Sequence, residues 1–187
     1  MTRDIAGAAG GRRLAVPPGT RTRPTADRVR EGLFSALGDL TGRTVLDLYA
    51  GSGALGLEAL SRGAAAVTLV EKDPRAVATI HANVEVVGLP GAHVVSAPVA
   101  RFLAGSPTPF DVVLADPPYA DPVDELLTTL TAGWVADVVV LERAKRDPEP
   151  GWPPGLRAWK ERAYGDTVLL FGARDLGVGG HTSPASP

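Results

Sequence analysis

The sequence predicts an α/β fold: a parallel sheet with helices on both faces. Three observations carry that prediction. Short apolar runs of strand type alternate with segments whose apolar residues recur every three or four positions, the pattern of successive βαβ units. Between one such run and the helix behind it lies Gly51-Ser52-Gly53-Ala54-Leu55-Gly56. This is G-x-G-x-x-G in the strand-to-helix context that gives the motif meaning. Finally, Asp47, Glu71 and Asp116 stand at or near the carboxyl ends of apolar runs, where sheets of this kind gather ligands.

Taken in order, residues 1–24 are rich in glycine and arginine. Residues 3–7 and 13–16 are weak candidates for two short strands; the segment reads either as a disordered basic leader or as an arm that meets phosphates, and composition balances the two. Pro17-Pro18-Gly19 breaks whatever precedes it. A helix is expected over 26–37, with Thr25 as N-cap and an apolar stripe of Val29, Leu33, Phe34 and Leu37. Arg30 falls within that stripe, so either its stem snorkels to water or its guanidinium meets a carboxylate or ligand anion. The apolar run 45–49 reads as a buried strand. The helix behind the glycine loop extends to Arg62 and stops at Gly63. Residues 66–71 form a second strand. Asp73-Pro74 supplies a cap and an N1 proline for a helix carrying Val77, Ile80, Val84 and Val87, which Gly88 ends. A third strand is expected at 93–96, a short helix at 98–103, a fourth strand at 110–116, a helix at 123–131 and a fifth strand at 135–142. A proline- and glycine-dense loop, 148–154, leads to an antiparallel hairpin of 156–163 and 167–172. The organisation is therefore a basic arm or hairpin (1–24), one domain (25–175) and a disordered low-complexity tail (176–187).

The 187 residues suit one domain able to bury its own core. With no cysteine there are no disulfides or thiolate metal sites. His81, His93 and His181 are scattered, without the clustering that a metal requires. No apolar run approaches membrane length, and Met1-Thr2-Arg3-Asp4 opens no signal peptide, so a cytoplasmic protein is expected. Residues 1–35 carry seven arginines against three acids, a net +4, while the remainder has twelve basic and eighteen acidic residues, a net −6. A basic arm on an acidic body is a charge asymmetry that either a disordered leader or a phosphate-binding arm accounts for.

The glycine loop leaves the cofactor open at first. Glu71 follows Gly51 by 20 residues, as the nicotinamide dinucleotide fingerprint requires. Asp47 argues the other way. A carboxylate between Leu46 and Leu48 is costly unless a donor or cation meets it, and a dinucleotide has no cation there. S-adenosylmethionine carries an ammonium and a sulfonium. On that reading Asp47 lies near the methionine amino end, the glycines lie under methionine and ribose, and Glu71 meets the ribose hydroxyls. Alternatively, Asp47 caps nearby backbone N–H groups.

Asp116-Pro117-Pro118-Tyr119 is the most specific signal in the chain. Asp116 ends a buried strand, and the prolines stiffen the backbone without adding N–H groups. Tyr119 offers a flat face for a stacked base. An exocyclic amine is a weak nucleophile because its lone pair is delocalised into the ring. Acceptors at Asp116 and the Pro117 carbonyl would hold its N–H bonds and aim the nitrogen at an activated methyl, so catalysis is chiefly positioning and electrostatics.

These residues resemble a Rossmann-like class I S-adenosylmethionine-dependent methyltransferase, and more narrowly the RsmD family of 16S rRNA guanine-N2 methyltransferases. The resemblance runs over residues 5–173. It is carried by Ile5-Ala6-Gly7, Gly11-Arg12-Arg13-Leu14, Arg23-Pro24-Thr25-Ala26-Asp27-Arg28-Val29-Arg30-Glu31, the glycine loop with Glu58-Ala59-Leu60-Ser61-Arg62-Gly63-Ala64, Asp116-Pro117-Pro118-Tyr119 and Tyr164-Gly165-Asp166-Thr167. It implies a seven-stranded, mostly parallel sheet with a reversed last strand and an N-terminal hairpin that grips RNA. It further implies that Asp116, Pro117, Pro118 and Tyr119 are catalytic. Cofactor contacts would come from Asp47, Tyr49, Gly51, Ser52, Gly53, Gly56, Glu71, Lys72, Ser96 and Ala97, and RNA contacts from Arg12, Arg13, Arg23, Arg28 and Arg30. The implied protein is a metal-free monomer acting on 16S rRNA, free or in an assembling 30S particle. The sequence departs from the wider class after the third strand: Ser96-Ala97-Pro98 has no Asp or Asn for the adenine amine, so that contact falls to backbone groups or Ser96. The motif alone leaves adenine N6 and cytosine N4 as acceptors, and a non-catalytic RNA-binding module as an alternative.

Overall fold

The computed structural model describes residues 2–4, 6–16, 24–118 and 121–175, with 2–4 and 24–26 described by backbone alone. A short antiparallel pair, β1 (Thr2–Asp4) and β2 (Arg13–Ala15), comes first. The body then runs α1 (Pro24–Leu37), β3 (Thr44–Leu48), α2 (Ala54–Ser61), β4 (Ala66–Glu71), α3 (Pro74–Val87), β5 (Ala92–Ser96), α4 (Val99–Leu103), β6 (Phe110–Ala115), α5 (Val123–Thr131), β7 (Val135–Ala144), β8 (Leu156–Tyr164) and β9 (Thr167–Arg174). The seven-stranded sheet has the order β5-β4-β3-β6-β7-β9-β8. Strands β5 to β7 are mutually parallel, and β9 runs against both β7 and β8. The expected reversed last strand is thus β9, inserted between β7 and the edge strand.

The central strands are apolar on both faces because both faces are covered. On β3, Val45 packs with α1, α2 and α3 through Leu33, Phe34, Leu57 and Ile80. Leu46 and Leu48 point the other way, toward Val99, Leu103, Leu127 and Leu130 of α4 and α5. Side chains alternate along a strand, so Asp47 falls on the Val45 face, beneath α2.

The N-terminal pair is docked onto the body. Ala9 and Leu14 are 1% exposed and join the core. Ser61 Oγ donates to the Ala6 carbonyl at 2.5 Å and accepts the Ala9 N–H at 2.8 Å. Several boundaries differ from expectation by a few residues, four of them at the hairpin, at α1 or at the strand ends near the site. The first strand is Thr2–Asp4, and a 3-10 turn (Gly7–Ala9) starts where the expected stretch ends. Helix α1 begins at Pro24, which puts Thr25 inside the first turn instead of at the cap. Strand β3 stops at Leu48 because Tyr49 turns out of the sheet with φ 61°. Strand β7 continues to Ala144, since β9 pairs with it as far as Ala144↔Thr167. That extension carries Arg143 past the end of β6. The 176–187 tail and Arg23 lie outside the described residues.

Candidate active site

The carboxyl ends of β3, β4, β5 and β6 surround a cleft of about 480 Å³, lined by Tyr49, Glu71, Lys72, Pro98–Ala100 and Asp116–Pro118 among others. The glycine loop, between Tyr49 and α2, does not itself line the cleft. Gly51 and Gly53 have φ of 58° and 75°, a left-handed conformation that glycine adopts without strain. A Cβ on Gly56 would lie 2.8 Å from Val67 Cγ2 and 3.0 Å from Asp47 Oδ2, so that glycine serves close helix–strand packing. The loop's N–H groups are largely spoken for. Gly51 donates to Glu71 Oε2 at 2.9 Å, Gly53 to the Ala50 carbonyl at 2.7 Å and Gly56 to Asp47 Oδ2 at 2.8 Å. These three donors therefore do not form an open cradle for a pyrophosphate.

Asp47 is 3% exposed and lies under the cleft, not on its wall. Burial pushes its carboxyl up to about 7, against the Gly56 N–H, and the nearby Asp116 and Glu71 charges add to the rise. It holds the loop, as the capping alternative expects, and any influence on a ligand passes through its charge. Glu71 lines the cleft directly. Its Oε1 accepts the N–H groups of Lys72 and Asp73 at 2.7 and 2.9 Å, which with the Gly51 N–H on Oε2 fixes the carboxylate and leaves a lone pair on Oε2 for a hydroxyl donor. Ser96 pairs with Glu71 in the sheet, and Ala97 N–H donates to the Glu71 carbonyl at 3.0 Å. The cleft wall beyond them is Pro98, Val99 and Ala100, so neither Ser96 nor Ala97 lines it. Ser52 offers its carbonyl to Asn83 Nδ2 at 2.8 Å. The Tyr49 hydroxyl bonds the Asp121 carboxylate across the mouth of the cleft, and burial followed by that acidic partner pushes the phenol up to about 12.

Asp116 belongs to two cavities. One is the cleft. The other, about 540 Å³, lies over the ends of β6 and β7, where Asp116 and Pro117 face Glu142, Arg143, Asp147 and Asp166. Opening into both leaves Asp116 exposed by surface area, yet protein atoms crowd it on most sides. That desolvation raises its carboxyl, and the Arg143 cation opposes the rise. Pro117 is buried and Pro118 exposed; Tyr119 lies outside the described residues.

The arginines separate. Arg30 is 8% exposed, and its Nε lies 2.7 Å from Glu58 Oε2, with Arg62 on the other oxygen at 2.7 Å. Its side chain meets a carboxylate, the second of the two expected outcomes, and is withdrawn from an RNA-facing set. Arg12 donates to the Val86 carbonyl at 2.9 Å and to the Val87 carbonyl, capping the C-terminus of α3. Arg13 and Arg28 are exposed.

Two residues escaped the sequence reading. Asn83, fully buried, accepts the Ala15 N–H at 2.7 Å and donates to the carbonyls of Ala15 at 3.0 Å and Ser52 at 2.8 Å. It ties the N-terminal hairpin to the cofactor loop. A polar residue on the apolar face of an otherwise regular helix was the only available signal. Arg143 is the other, concealed within an ordinary strand end.

A parallel sheet with one reversed strand, a glycine loop between β3 and α2, and Asp-Pro-Pro at the neighbouring strand tip define a Rossmann-like methyltransferase. A solved Escherichia coli structure described as "Putative methyltransferase yhhF" superposes with a TM-score of 0.84 at 36% identity, covering 94% of this chain and 99% of that one. A hypothetical protein of Thermus thermophilus gives 0.75 at 38%, over 91% and 98%. The family model "Conserved hypothetical protein 95" matches residues 2–173. Ribosomal RNA small subunit methyltransferase D of Escherichia coli K12 is 38% identical over 178 residues, 92% of this chain and 90% of that protein. The chain belongs to this family, the RsmD family.

Proposed function

We propose that the protein transfers a methyl group from S-adenosylmethionine to the exocyclic N2 amine of a guanine in 16S rRNA. The observation that carries this reading is the position of Asp116 as the partition between two cavities, one suited to a methyl donor and the other to its acceptor. The related Escherichia coli enzyme is named for small-subunit ribosomal RNA.

The residues present fit the donor. The cleft wall carries Glu71, Asp116 and Asp121 against Lys72, an acidic lining that favours a cationic ligand and opposes a pyrophosphate. With the N–H groups of Gly51, Gly53 and Gly56 bonded internally, nicotinamide dinucleotides are disfavoured twice over. Glu71 would take the ribose hydroxyls, and Pro98, Val99 and Ala100 would flank the adenine. Lys72 and Tyr49, which precedes the loop of Gly51, Ser52, Gly53 and Gly56, complete that side. When bound, S-adenosylmethionine supplies a methyl made electrophilic by its sulfonium.

The chain's own part is placement. Asp116 and the Pro117 carbonyl accept the two N–H bonds of the amine and aim its nitrogen across the partition. Tyr119 stacks on the base. No strong base is needed beforehand, because the amine becomes acidic only once methylated. Exposed Arg13 and Arg28, with Arg23, supply the phosphate contacts. The protein acts in the cytoplasm, as a monomer, on rRNA or an assembling 30S particle.

Single-turnover transfer to undermethylated 16S rRNA and to 30S particles tests the reading, with nucleoside mass spectrometry of the product. N2-methylguanosine is expected. Methylation of adenine or cytosine instead, or calorimetric binding of NADH in place of S-adenosylhomocysteine, would overturn it. A protein that binds the RNA and transfers nothing would be a non-catalytic binding module.

A further inference from the structure

The cavity on the acceptor side of Asp116 has an unusual composition. Four carboxylates (Asp116, Glu142, Asp147 and Asp166) face three cations (Arg143, Lys145 and Arg146). Near-balance of this kind suits neither a phosphate nor a cation. It suits a neutral heterocycle that presents donors and acceptors on one edge.

Within the cavity Arg143 is the most fixed cation. Its side chain is 8% exposed and its Nη2 lies 3.1 Å from Asp147 Oδ2, with the Asp147 side chain 5% exposed. Asp147 is itself held, accepting the Ala144 N–H at 3.1 Å on the same oxygen and donating its own N–H to the Ala144 carbonyl at 2.9 Å. Asp147 Oδ1 is buried without a hydrogen-bond partner among the described residues, as in a site that a polar ligand completes. Strand register sets the spacing. Ala115 of β6 pairs with Leu141 of β7, so Asp116 and Arg143 leave neighbouring parallel strands one and two residues beyond that pair. A guanidinium offers five N–H donors in a rigid fork, and Asp147 occupies only one end of it.

We propose that Arg143 reads the O6 atom of the guanine whose N2 amine is held at Asp116, and that this contact makes the enzyme specific for guanine. The inference rests on the guanine-N2 reading above and goes beyond it by naming the selecting group. Guanine carries its N2 amine, N1–H and O6 in succession along one edge. With the amine and N1–H toward Asp116, O6 falls on the β7 side, facing the guanidinium. A purine with an amine at position 6 turns a donor toward a donor there, and a bare N1 toward Asp116, leaving these groups unpaired. Arg143 has a second effect on the same reaction: its charge favours the ionised, accepting form of Asp116.

The test uses 16S rRNA rebuilt around a synthetic oligonucleotide and assembled into 30S particles. The nucleotide that the wild-type enzyme methylates is either guanosine or 6-thioguanosine, which keeps the 2-amine and N1–H and replaces O6 by sulfur, a weak acceptor. The wild type is expected to prefer guanosine in kcat/KM by about 10- to 100-fold, the discrimination usual for one such base-edge contact. Arg143→Gln, whose neutral amide lacks the charged fork, is expected to bring that preference to within about 3-fold, with S-adenosylhomocysteine affinity unchanged. Arg143→Lys keeps a cation beside Asp147 and loses the fork; it carries the test by the same criterion if the glutamine variant does not fold. A variant that loses activity equally on both substrates makes Arg143 merely structural and overturns the proposal. A wild-type enzyme inactive on guanosine brings down the guanine-N2 reading and this inference with it, a result distinct from unchanged selectivity in an active variant.

Discussion

Replacing Asp47 by Asn should stabilise the ligand-free protein and weaken its cofactor binding. The Asp47 carboxyl is pushed from 3.8 to about 7 by burial, a rise of about 3 units or roughly 4 kcal/mol at most. The folded chain binds this proton more tightly than the unfolded chain does. Stability from this group is therefore fully present below pH 4, falls as pH rises through the window from about 4 to 7, and is absent above it. Asparagine has no such titration, and its Oδ1 can still accept the Gly56 N–H. The variant's advantage in urea unfolding should accordingly grow by roughly 3 kcal/mol between pH 5 and pH 8. Calorimetry should show the opposite for the ligand: affinity for S-adenosylmethionine falls on the order of 10-fold at pH 8, because the ionised carboxylate under the cleft no longer attracts a cationic cofactor. A variant destabilised equally at both pH values would refute the reasoning, since the Gly56 hydrogen bond would then outweigh the cost of burying the charge.

Other perturbations separate placement from scaffolding. Asp116→Ala should retain S-adenosylhomocysteine binding in calorimetry and lose about 100- to 1000-fold in single-turnover transfer, the loss typical of removing one fixed electrostatic partner; an active variant would remove Asp116 from the chemistry. Asn83→Ala strands the Ala15 N–H together with the Ala15 and Ser52 carbonyls. Urea unfolding should show a loss of about 1–3 kcal/mol, with weaker cofactor and RNA binding together. Arg12→Ala should lower stability by about 0.3–1 kcal/mol through the α3 C-terminus. Arg13→Ala with Arg28→Ala should reduce the slope of RNA affinity against salt by about 2. An unaltered slope would take these arginines off the RNA face.

The sheet, its order of helices and the strand tips that bear the site were legible because each rests on a local pattern. Apolar periodicity distinguishes strand from helix within a dozen residues, and caps such as Asp73-Pro74 or the glycine at 88 mark ends by local backbone chemistry. The glycine loop and Asp-Pro-Pro were legible for the same reason. Boundaries went astray where a distant partner decided them. Strand β7 extends because β9 pairs with it, and Tyr49 leaves β3 in a strained left-handed conformation in which its hydroxyl meets Asp121.

Roles proved harder to read than positions. Asp47 and Arg30 each allowed two readings in the sequence, since a charged residue in an apolar context demands a partner without naming it. Tertiary structure supplied Gly56 for one and Glu58 for the other. It also withdrew Arg12 onto α3, joined the hairpin to the cofactor loop through Asn83, and set Arg143 across a cavity from Asp116. Sequence alone determined the fold class, the order of elements and the residue types at the strand tips, because these follow from nearest-neighbour chemistry. The pairing of charges and the division of one sheet edge into two cavities depend on atoms dozens of residues apart, which only the folded chain brings within a few ångströms.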